Sequence, residues 1–508
     1  MRQDWLRWRA LATPAKLAVI FEARSINYAE LDRLADGLAG ALAACQLHPG
    51  DRVATLLNSS IEAIALIHAV ARLGAVLVPL NTRLTPTERA RQLSLVEPKL
   101  LVVDDPFVSA DVDAKPQETV TLAHLSHQEP QFGPEFRASC PDQSRLPHAQ
   151  SVIFTSGTTG APKGVQLSFD NHFWSATASA YHLGVDTNDR WLSCLPLYHV
   201  GGLAVVFRSC LYGTAIVLQP SFDLEQFQRS LRDDQVTLTS LVPTMLHRLL
   251  QSSPPTKWPQ SLRMVLLGGA AATADLLTAA NEARVPVAAT YGLTETASQV
   301  ATALPADIQR KPDSVGRPLL FTETRIADSD GNTLPRGQIG EILVRGPQVM
   351  TAYYRNPSAT DSALRDGWLY TGDMGRLDTD GDLYVVQRRT DMIVSGGENI
   401  YPAEVEAVLR QHPAVADVCV VGLPDTEWGQ RCAAAVQLRA GETLSRDALL
   451  SFCRTRLAGY KQPAPNLIRF VNALPQTASG KIARQEVERQ LDGWAGSLQS
   501  GTAEPSDT

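Results

Sequence analysis

The sequence of 508 residues lacks the cysteine pattern of a disulfide scaffold or a zinc site. Its seven cysteines are scattered and never form a CxxC pair, which is typical of reduced thiols inside a cell. The longest apolar stretch, 61–80, is interrupted by Glu62, His68, Arg72 and Pro79. A membrane span needs about 20 mostly apolar residues. We therefore expect no membrane span and a cytoplasmic location.

The sequence also lacks an excess of positive charge and an apolar export signal near its start. Lys plus Arg is 46 and Asp plus Glu is 53, which gives a net charge of -7. A mildly acidic chain gives no reason to expect nucleic acid or an anionic membrane as a partner. The ordinary content of apolar residues, 44%, excludes disorder for most of the chain.

Alternating helical and strand-like patterns in the first part of the chain predict parallel α/β layers. Helices are predicted at 28–44 and 61–73. Strands are predicted at 51–57, 75–80, 100–103, 215–218, 264–267 and 285–289. The polar, proline-rich segment 104–147 is expected to be irregular or connecting.

Near Glu323 the pattern changes to short alternating runs between glycines, which predicts a small β-rich subdomain. The last part reads as an α+β domain. Its predicted elements are helices at 403–410 and 448–457 and strands at 415–421 and 432–438. The prediction is therefore an α/β protein with a large N-terminal domain, 1–387, a hinge, 388–392, and a smaller mobile α+β domain, 393–493. The polar tail, 494–508, is expected to be disordered.

A loop rich in glycine and hydroxyl side chains follows a short apolar strand in the segment SVIFTSGTTGAPKG, at 151–164. Glycine lets the backbone approach a ligand, and hydroxyls and amides donate to phosphate oxygens. The residues expected to hold phosphate are Thr155, Ser156, Gly157, Thr158, Thr159, Gly160 and Lys163. The loop is not a Walker A motif, because Gly164 follows the lysine where Ser or Thr is required.

This loop and four further segments together resemble the adenylate-forming superfamily of acyl-CoA synthetases, peptide-synthetase adenylation domains and luciferases. The four segments are YGLTET (291–296), YTGD (370–373), RRTDMIVSGGENIYPAEVE (388–406) and PQTASGKI (475–482). They follow in the family's order, and the resemblance spans nearly the whole chain. It implies an AMP-forming acid–CoA ligase that uses ATP, Mg²⁺ and coenzyme A and proceeds through an acyl-adenylate.

The nucleotide is expected to contact residues from several of these segments. Gly268, Gly269 and Ala270 end a predicted strand and leave room for a flat base. Tyr291 offers a ring that can stack on that base. The resemblance implies that Asp373 accepts hydrogen bonds from the ribose hydroxyls.

Three residues are expected to act on the reacting groups. Glu295 is the one carboxylate in YGLTET, and a hard cation that bridges phosphates requires oxygen ligands. The resemblance implies that Glu295 helps to hold Mg²⁺, that Thr294 contacts phosphate, and that Lys481 bridges the substrate carboxylate and the α-phosphate. An ammonium is needed there because an anionic carboxylate must attack an anionic phosphate.

The segment after the β-rich subdomain is expected to serve domain rotation and CoA binding. The resemblance implies that Arg388 contacts the ribose and that the hinge lies two residues later, where many relatives have a carboxylate and this chain has Thr390. Gly396 and Gly397, directly after Ser395, allow a narrow passage lined by backbone. In related ligases this loop lines the tunnel for the pantetheine arm of CoA.

The acid substrate is indicated by weaker signals. His199 is at a position where the family often places a histidine or an aromatic residue near the substrate carboxylate; a packed histidine is the alternative. Within the superfamily, the segments 195–213, 243–250 and 298–302 most resemble the ligases that activate 2-succinylbenzoate for menaquinone biosynthesis.

That acid carries a second carboxylate that does not react. Burying it without a partner would cost several kcal/mol, so a cation or several donors should lie near it. Arg208 is the candidate cation, and Ser298 and Gln299 are candidate donors. The alternative for Arg208 is a surface or helix-capping arginine.

Other functions stay open at this point. The same mechanism could act on a medium-chain fatty acid or an aryl acid. The adenylate could instead be loaded onto a carrier protein or oxidised, as in luciferases. The chain could also be a non-catalytic nucleotide-binding protein, although a binder has no need for Lys481, Glu295 and Asp373. No sequence feature decides between a monomer and a homodimer.

Overall fold

The computed structural model describes residues 4–104, 118–127, 149–155, 162–253, 256–387, 392–475 and 482–499. The chain divides into two compact units. The first unit contains 1–82, 93–154 and 164–388, and the second contains 83–92, 155–163 and 389–508. Within the described ranges, no helix is both long enough and apolar enough to cross a membrane.

The strands up to residue 387 are, in chain order, β1 (Leu17–Phe21), β2 (Arg24–Asn27), β3 (Arg52–Leu56), β4 (Val76–Pro79), β5 (Leu100–Val103), β6 (Glu118–Thr121), β7 (Ala149–Thr155), β8 (Lys163–Ser168), β9 (Arg190–Ser193), β10 (Ala215–Leu218), β11 (Leu238–Leu241), β12 (Met264–Leu267), β13 (Val287–Leu293), β14 (Ser298–Ala303), β15 (Arg317–Pro318), β16 (Glu323–Ala327), β17 (Gly340–Arg345), β18 (Ala352–Tyr353), β19 (Leu364–Arg365), β20 (Trp368–Leu377) and β21 (Leu383–Gln387). They form three sheets.

The helices of this part are α1 (Trp5–Ala12), α2 (Tyr28–Ala44), α3 (Ile61–Arg72), α4 (Pro86–Val96), α5 (Leu122–His127), α6 (Phe169–Leu183), α7 (Val200–Tyr212), α8 (Leu224–Asp233), α9 (Pro243–Leu250), α10 (Ala274–Glu282), α11 (Pro305–Arg310) and α12 (Pro357–Ala363). The local sequence determines where several of these helices begin. For example, Asn27 and Glu30 form a capping box that begins α2, and the Ser60 hydroxyl caps α3.

A nine-stranded sheet has the order β15-β14-β13-β12-β11-β9-β10-β1-β2, and a seven-stranded sheet has the order β18-β8-β7-β4-β3-β5-β6. Neighbours from β13 to β1 in the first sheet pair in parallel, with antiparallel strands at both edges. Strands β16, β17, β19, β20 and β21 form an antiparallel five-stranded sheet. The predicted α/β layers and the β-rich subdomain are therefore confirmed.

Apolar residues fill both faces of the two large sheets. The main core packs side chains of both sheets against α2, α3, α6 and α7. A second core lies between the nine-stranded sheet and helices α8, α9, α10 and α11. A third packs β3, β4 and β5 against the end of α4. This burial explains why the strands read as short apolar runs rather than alternating ones.

The last part of the chain is an α+β structure. Its elements are β22 (Ile393–Ser395), β23 (Glu398–Ile400), α13 (Pro402–Leu409), β24 (Val415–Asp425), β25 (Gly429–Leu438), α14 (Arg446–Arg454), β26 (Ile468–Val471) and α15 (Arg484–Gln499). The sheet order is β23-β22-β25-β24, and β26 pairs in parallel with β25. Helices α13 and α14 cover one face and α15 covers the other.

Two predictions about irregular segments were wrong in part. The segment 104–147 contains β6 and α5; β6 pairs in parallel with β5 and so extends the seven-stranded sheet beyond it. The tail does not begin at Trp494. That side chain is buried with Val487 and Leu491, three apolar positions on one face of α15 that pack onto the sheet. Residues 500–508 lie outside the described part.

Candidate active site

The phosphate-loop residues are described only at the two ends of the loop. Thr155 ends β7 and Lys163 begins β8, and the Thr155 hydroxyl donates to the Lys163 carbonyl at 3.5 Å. The predicted phosphate-binding residues Ser156, Gly157, Thr158, Thr159 and Gly160 lie outside the described residues, as do Arg388, Thr390 and Lys481. Their roles stay predictions.

The strand end at Gly268 is packed so closely that no side chain fits there. A Cβ on Gly268 would lie 2.7 Å from the Thr290 methyl carbon. Gly269 has φ +82°, a conformation that favours glycine, and a Cβ there would approach Val242 to 3.1 Å. The two positions between the end of β12 and Ala270 therefore have no side chain, and only their backbone atoms line this strand end. A flat base at this strand end stays a prediction.

Tyr291 and Asp373 are brought together although 82 positions separate them. The Tyr291 hydroxyl donates to Asp373 Oδ2 at 2.8 Å. The Tyr291 side chain is 1% exposed and Asp373 is 2% exposed. The hydroxyl of Thr371 accepts from the Asp373 amide at 3.1 Å and holds the turn at Gly372. The two predicted nucleotide-binding residues thus form one buried pair between β13 and β20.

Glu295 is held at its side chain and at its backbone. It lies with Thr294 in a short 3₁₀ helix, Thr294–Thr296, directly after β13. The Tyr353 hydroxyl donates to Glu295 Oε1 at 2.8 Å, and the Met350 amide donates to its carbonyl at 2.8 Å. Among the described residues, none donates to Oε2. A half-buried carboxylate that has acceptor capacity left at one oxygen fits a Mg²⁺ ligand.

The turn after Glu295 has a strained backbone. Ala297 has φ +51° and Ser298 has φ +126°, values that side-chain-bearing residues rarely adopt. Two buried hydroxyls hold this turn. Ser175, on α6, donates to the Ala297 carbonyl at 2.9 Å, and Thr296 donates to the Ser298 carbonyl at 3.1 Å. Such strain is common at functional sites.

Arg208, the predicted cation for a second carboxylate, lies on α7, and its side chain is buried. The residue is 2% exposed, and within the described ranges its Nε and Nη2 atoms have no hydrogen-bond partner. Burial lowers the pKa of this guanidinium, which nevertheless stays protonated in proteins. It lies 5.9 Å from the Trp191 ring centroid. The surface or helix-capping alternative is therefore wrong, and the charge lacks a partner within the described residues.

The surroundings of Arg208 hold a neutral imidazole. Burial, and next the charge of Arg208, lower the pKa of His172 to about 3. The His172 Nε2 atom is 2.9 Å from the Ser151 hydroxyl, and its ring packs on Phe207 at 4.7 Å between centroids. A neutral imidazole does not compensate the positive charge of Arg208.

The other residues predicted for the acid lie at the ends of α7 and β14. His199 precedes α7 at its N-cap position without a capping side-chain bond, and its ring contacts that of Tyr198 at 4.7 Å. Ser298 begins β14, which packs against α7. Gln299 is buried: its Nε2 donates to Thr302 at 2.8 Å, while no described residue donates to its Oε1.

The second unit contains a cavity of ≈ 440 Å³ lined by Ser395 and Gly396. Gly396 and Gly397 have φ +59° and +85° and form the turn between β22 and β23. The cavity is also lined by three cations and two aromatic side chains: Arg83, Arg431, Arg454, Trp428 and Tyr460. Arginines and aromatic rings together suit a phosphorylated nucleotide such as CoA.

Several groups of the site were not predictable from the sequence. Tyr353, Ser175 and Asn171 act on the site through one or two hydrogen bonds each from distant elements, and no spacing in the sequence marks them. The arginines of the cavity could not be predicted as a binding site either, because they are far apart in the sequence and belong to no motif. An exposed Arg and a buried Tyr are ordinary residues until their partners are known.

The chain belongs to the AMP-binding enzyme family, which matches residues 6–354, and the AMP-binding enzyme C-terminal domain matches residues 404–481. A curated relative is the 2-succinylbenzoate–CoA ligase of Bacillus licheniformis, 41% identical over 489 residues, which are 95% of this chain and 99% of the relative.

Two solved structures of o-succinylbenzoate CoA synthetase from Bacillus subtilis are similar and 38% identical. A double mutant bound with its product analogue OSB-NCoA matches with a TM-score of 0.89, covering 96% of this chain and 98% of that chain. The complex with ATP and magnesium ion matches with a TM-score of 0.71, covering 95% and 98%.

Proposed function

We propose that this protein ligates 2-succinylbenzoate to CoA: 2-succinylbenzoate, ATP and CoA give 2-succinylbenzoyl-CoA, AMP and pyrophosphate, a step of menaquinone biosynthesis. The observation that carries the choice of acid is the buried Arg208 guanidinium, whose Nε and Nη2 have no partner among the described residues. An unpaired buried charge is costly, and a second carboxylate on the substrate would remove that cost. A monocarboxylic acid would leave it in place. The similarity to curated 2-succinylbenzoate–CoA ligases supports the same choice.

In the first half-reaction, a carboxylate oxygen of the acid attacks the α-phosphorus of ATP, and pyrophosphate leaves. We propose that Lys481 offsets the repulsion between the two anions, and that Thr294 and the loop from Thr155 to Lys163 hold the phosphates. Mg²⁺, when bound, neutralises charge on the triphosphate; Glu295 would hold it. Asp373, Tyr291 and Arg388 would hold the nucleoside.

In the second half-reaction, the CoA sulfur attacks the acyl carbon, the bond to AMP breaks, and the thiol proton is released. We propose that Ser395, Gly396 and Gly397 lie along the CoA arm. The cavity that they adjoin offers the guanidinium groups of Arg431 and Arg454 to the CoA phosphates. His199 would lie near the reacting carboxylate.

Because ATP and CoA are intracellular substrates and the six described cysteines are unpaired, a cytoplasmic location belongs to this proposal.

The test is mass spectrometry of the products from ATP, CoA and a panel of acids. The panel contains 2-succinylbenzoate, a monocarboxylic analogue that lacks the non-reacting carboxylate, a medium-chain fatty acid and benzoate. We expect the succinylbenzoyl thioester, together with AMP and pyrophosphate, to form with the highest kcat/KM. A preference for a monocarboxylic acid would contradict the proposed substrate while leaving the ligase chemistry intact. Absence of AMP with every acid would contradict the chemistry itself.

A further inference from the structure

The support of Glu295 comes from one short segment, 349–354, that also pairs with the strand after the phosphate loop. Strand β18 pairs antiparallel with β8, with Tyr353 opposite Val165. The Tyr354 amide donates to the Gly164 carbonyl at 2.7 Å. On the same segment, the Met350 amide and the Tyr353 hydroxyl hold Glu295. The segment therefore sets the distance between the carboxylate and β8.

Tyr353 is itself rigidly placed. The side chain is 5% exposed, and its backbone amide donates to the Thr360 hydroxyl at 3.0 Å. Asn171, in the first turn of α6, donates to the carbonyls of Pro347 and Val349 at 2.8 Å each, which fixes the entry to the segment. Because the Tyr353 ring is buried and its backbone amide is hydrogen-bonded, the side chain has few alternative conformations. Its hydroxyl can therefore hold the Glu295 carboxylate with little further loss of conformational entropy.

We propose that Tyr353 is a positioning residue for a divalent cation bound through Glu295. Its hydroxyl occupies Oε1 and so orients the carboxylate with Oε2 available to the cation. Groups that hydrogen-bond to a metal-binding carboxylate fix its orientation and affect metal affinity about 10- to 100-fold. This inference rests on the proposed function, since it takes Mg²⁺ to reach the triphosphate through Glu295.

The test is calorimetric titration of ATP into wild-type protein and the Tyr353→Phe variant, in MgCl₂ of varied concentration and in EDTA. Mg²⁺ should enhance ATP binding, and we expect the variant to need about a 10-fold higher Mg²⁺ concentration than wild type for half of this enhancement. The affinity for ATP in EDTA should be the same in both proteins. Tyr353→His, which keeps a ring donor, should recover part of the Mg²⁺ affinity. Equal Mg²⁺ requirements in wild type and Tyr353→Phe, or equal losses with and without Mg²⁺, would overturn the inference.

Two further variants separate positioning from stability. Tyr212→Phe also removes a half-buried phenol that donates to a backbone carbonyl, that of Ala176, and should lower the unfolding temperature without changing the Mg²⁺ requirement. In a Glu295→Gln background, Tyr353→Phe should add little to the loss of Mg²⁺ response, because Tyr353 acts through that carboxylate. A full additive loss would contradict this. If wild-type protein binds ATP without any response to Mg²⁺, the proposed function of the site fails instead.

Discussion

Gly292 lies directly against the carbonyl of Ser298: a Cβ on Gly292 would be 1.9 Å from that oxygen and 2.7 Å from its carbon. The two residues flank the short helix that carries Thr294 and Glu295. The close approach lets β13 and β14 pair tightly around this helix. The glycine in YGLTET is therefore required by packing at the site.

Gly292→Ala should destabilise the fold and displace Glu295, because a Cβ cannot be placed without moving the backbone of Ser298. We expect a loss of about 1–3 kcal/mol in the free energy of unfolding, measured by urea denaturation, and a larger KM for ATP. Gly37→Ala is the matched control. Nothing lies within 4 Å of its Cβ, and it is in the middle of α2, so it should stabilise by about 0.5–1 kcal/mol. Unchanged stability of Gly292→Ala would refute the packing argument.

Arg208→Leu should raise KM for 2-succinylbenzoate far more than KM for a monocarboxylic analogue. Removal of a charge that pairs with a substrate carboxylate costs about 2–5 kcal/mol, roughly 30-fold or more in KM. Steady-state pyrophosphate release with both acids measures the two changes. The control is Arg263→Leu, which breaks a 2.6 Å ion pair with Asp189 and should lower stability without altering the ratio between the acids. Equal losses for both acids would remove the role of Arg208.

Lys481→Ala should slow adenylate formation by about 100-fold or more, because the two anionic reactants lose their shared counter-charge. Thioester formation from supplied acyl-adenylate and CoA should be largely retained, since no phosphate is attacked in that step. Single-turnover assays of each half-reaction measure the split. The exposed Lys257, changed to alanine, should leave both rates unaltered. Comparable losses in both half-reactions would argue against a bridging lysine.

The stability of the protein should decrease as the pH falls below about 6.5, partly because of His172. Burial, then Arg208, lower the pKa of His172 from 6.5 to about 3. In the unfolded chain, His172 therefore becomes protonated below about pH 6.5. In the native state it stays neutral down to about pH 3. Each such histidine contributes a slope of up to about 1.4 kcal/mol per pH unit in that window.

Urea denaturation between pH 7.5 and pH 5 tests this expectation. His172→Gln should flatten the fall in stability with decreasing pH, whatever its effect at pH 7.5. The control, His48→Gln, changes a side chain that is 74% exposed and should keep the wild-type slope. The same slope in wild type and His172→Gln would show that this histidine does not contribute.

Many elements were predictable from the sequence because their signals are local. Helix α2 has the predicted bounds, 28–44, as its capping box, Asn27 with Glu30, and its apolar period are both local to this segment. The strands at 100–103 and 264–267 were also predicted, since an apolar run between turns is enough to mark a buried strand. By contrast, β6 is polar at its start and was missed. It becomes a strand because β5 offers it a free edge.

For the site, the sequence determined which chemical groups are present. The carboxylates, the lysine and the glycine-rich loop follow one another in an order that identifies their family, since residue types and spacing are properties of the chain itself. The tertiary structure alone decided which groups lack partners and which support one another. In the described part of the chain nothing pairs with Nε and Nη2 of Arg208, and Tyr353 holds Glu295 across 58 positions, because burial and hydrogen bonding depend on residues that only folding brings together.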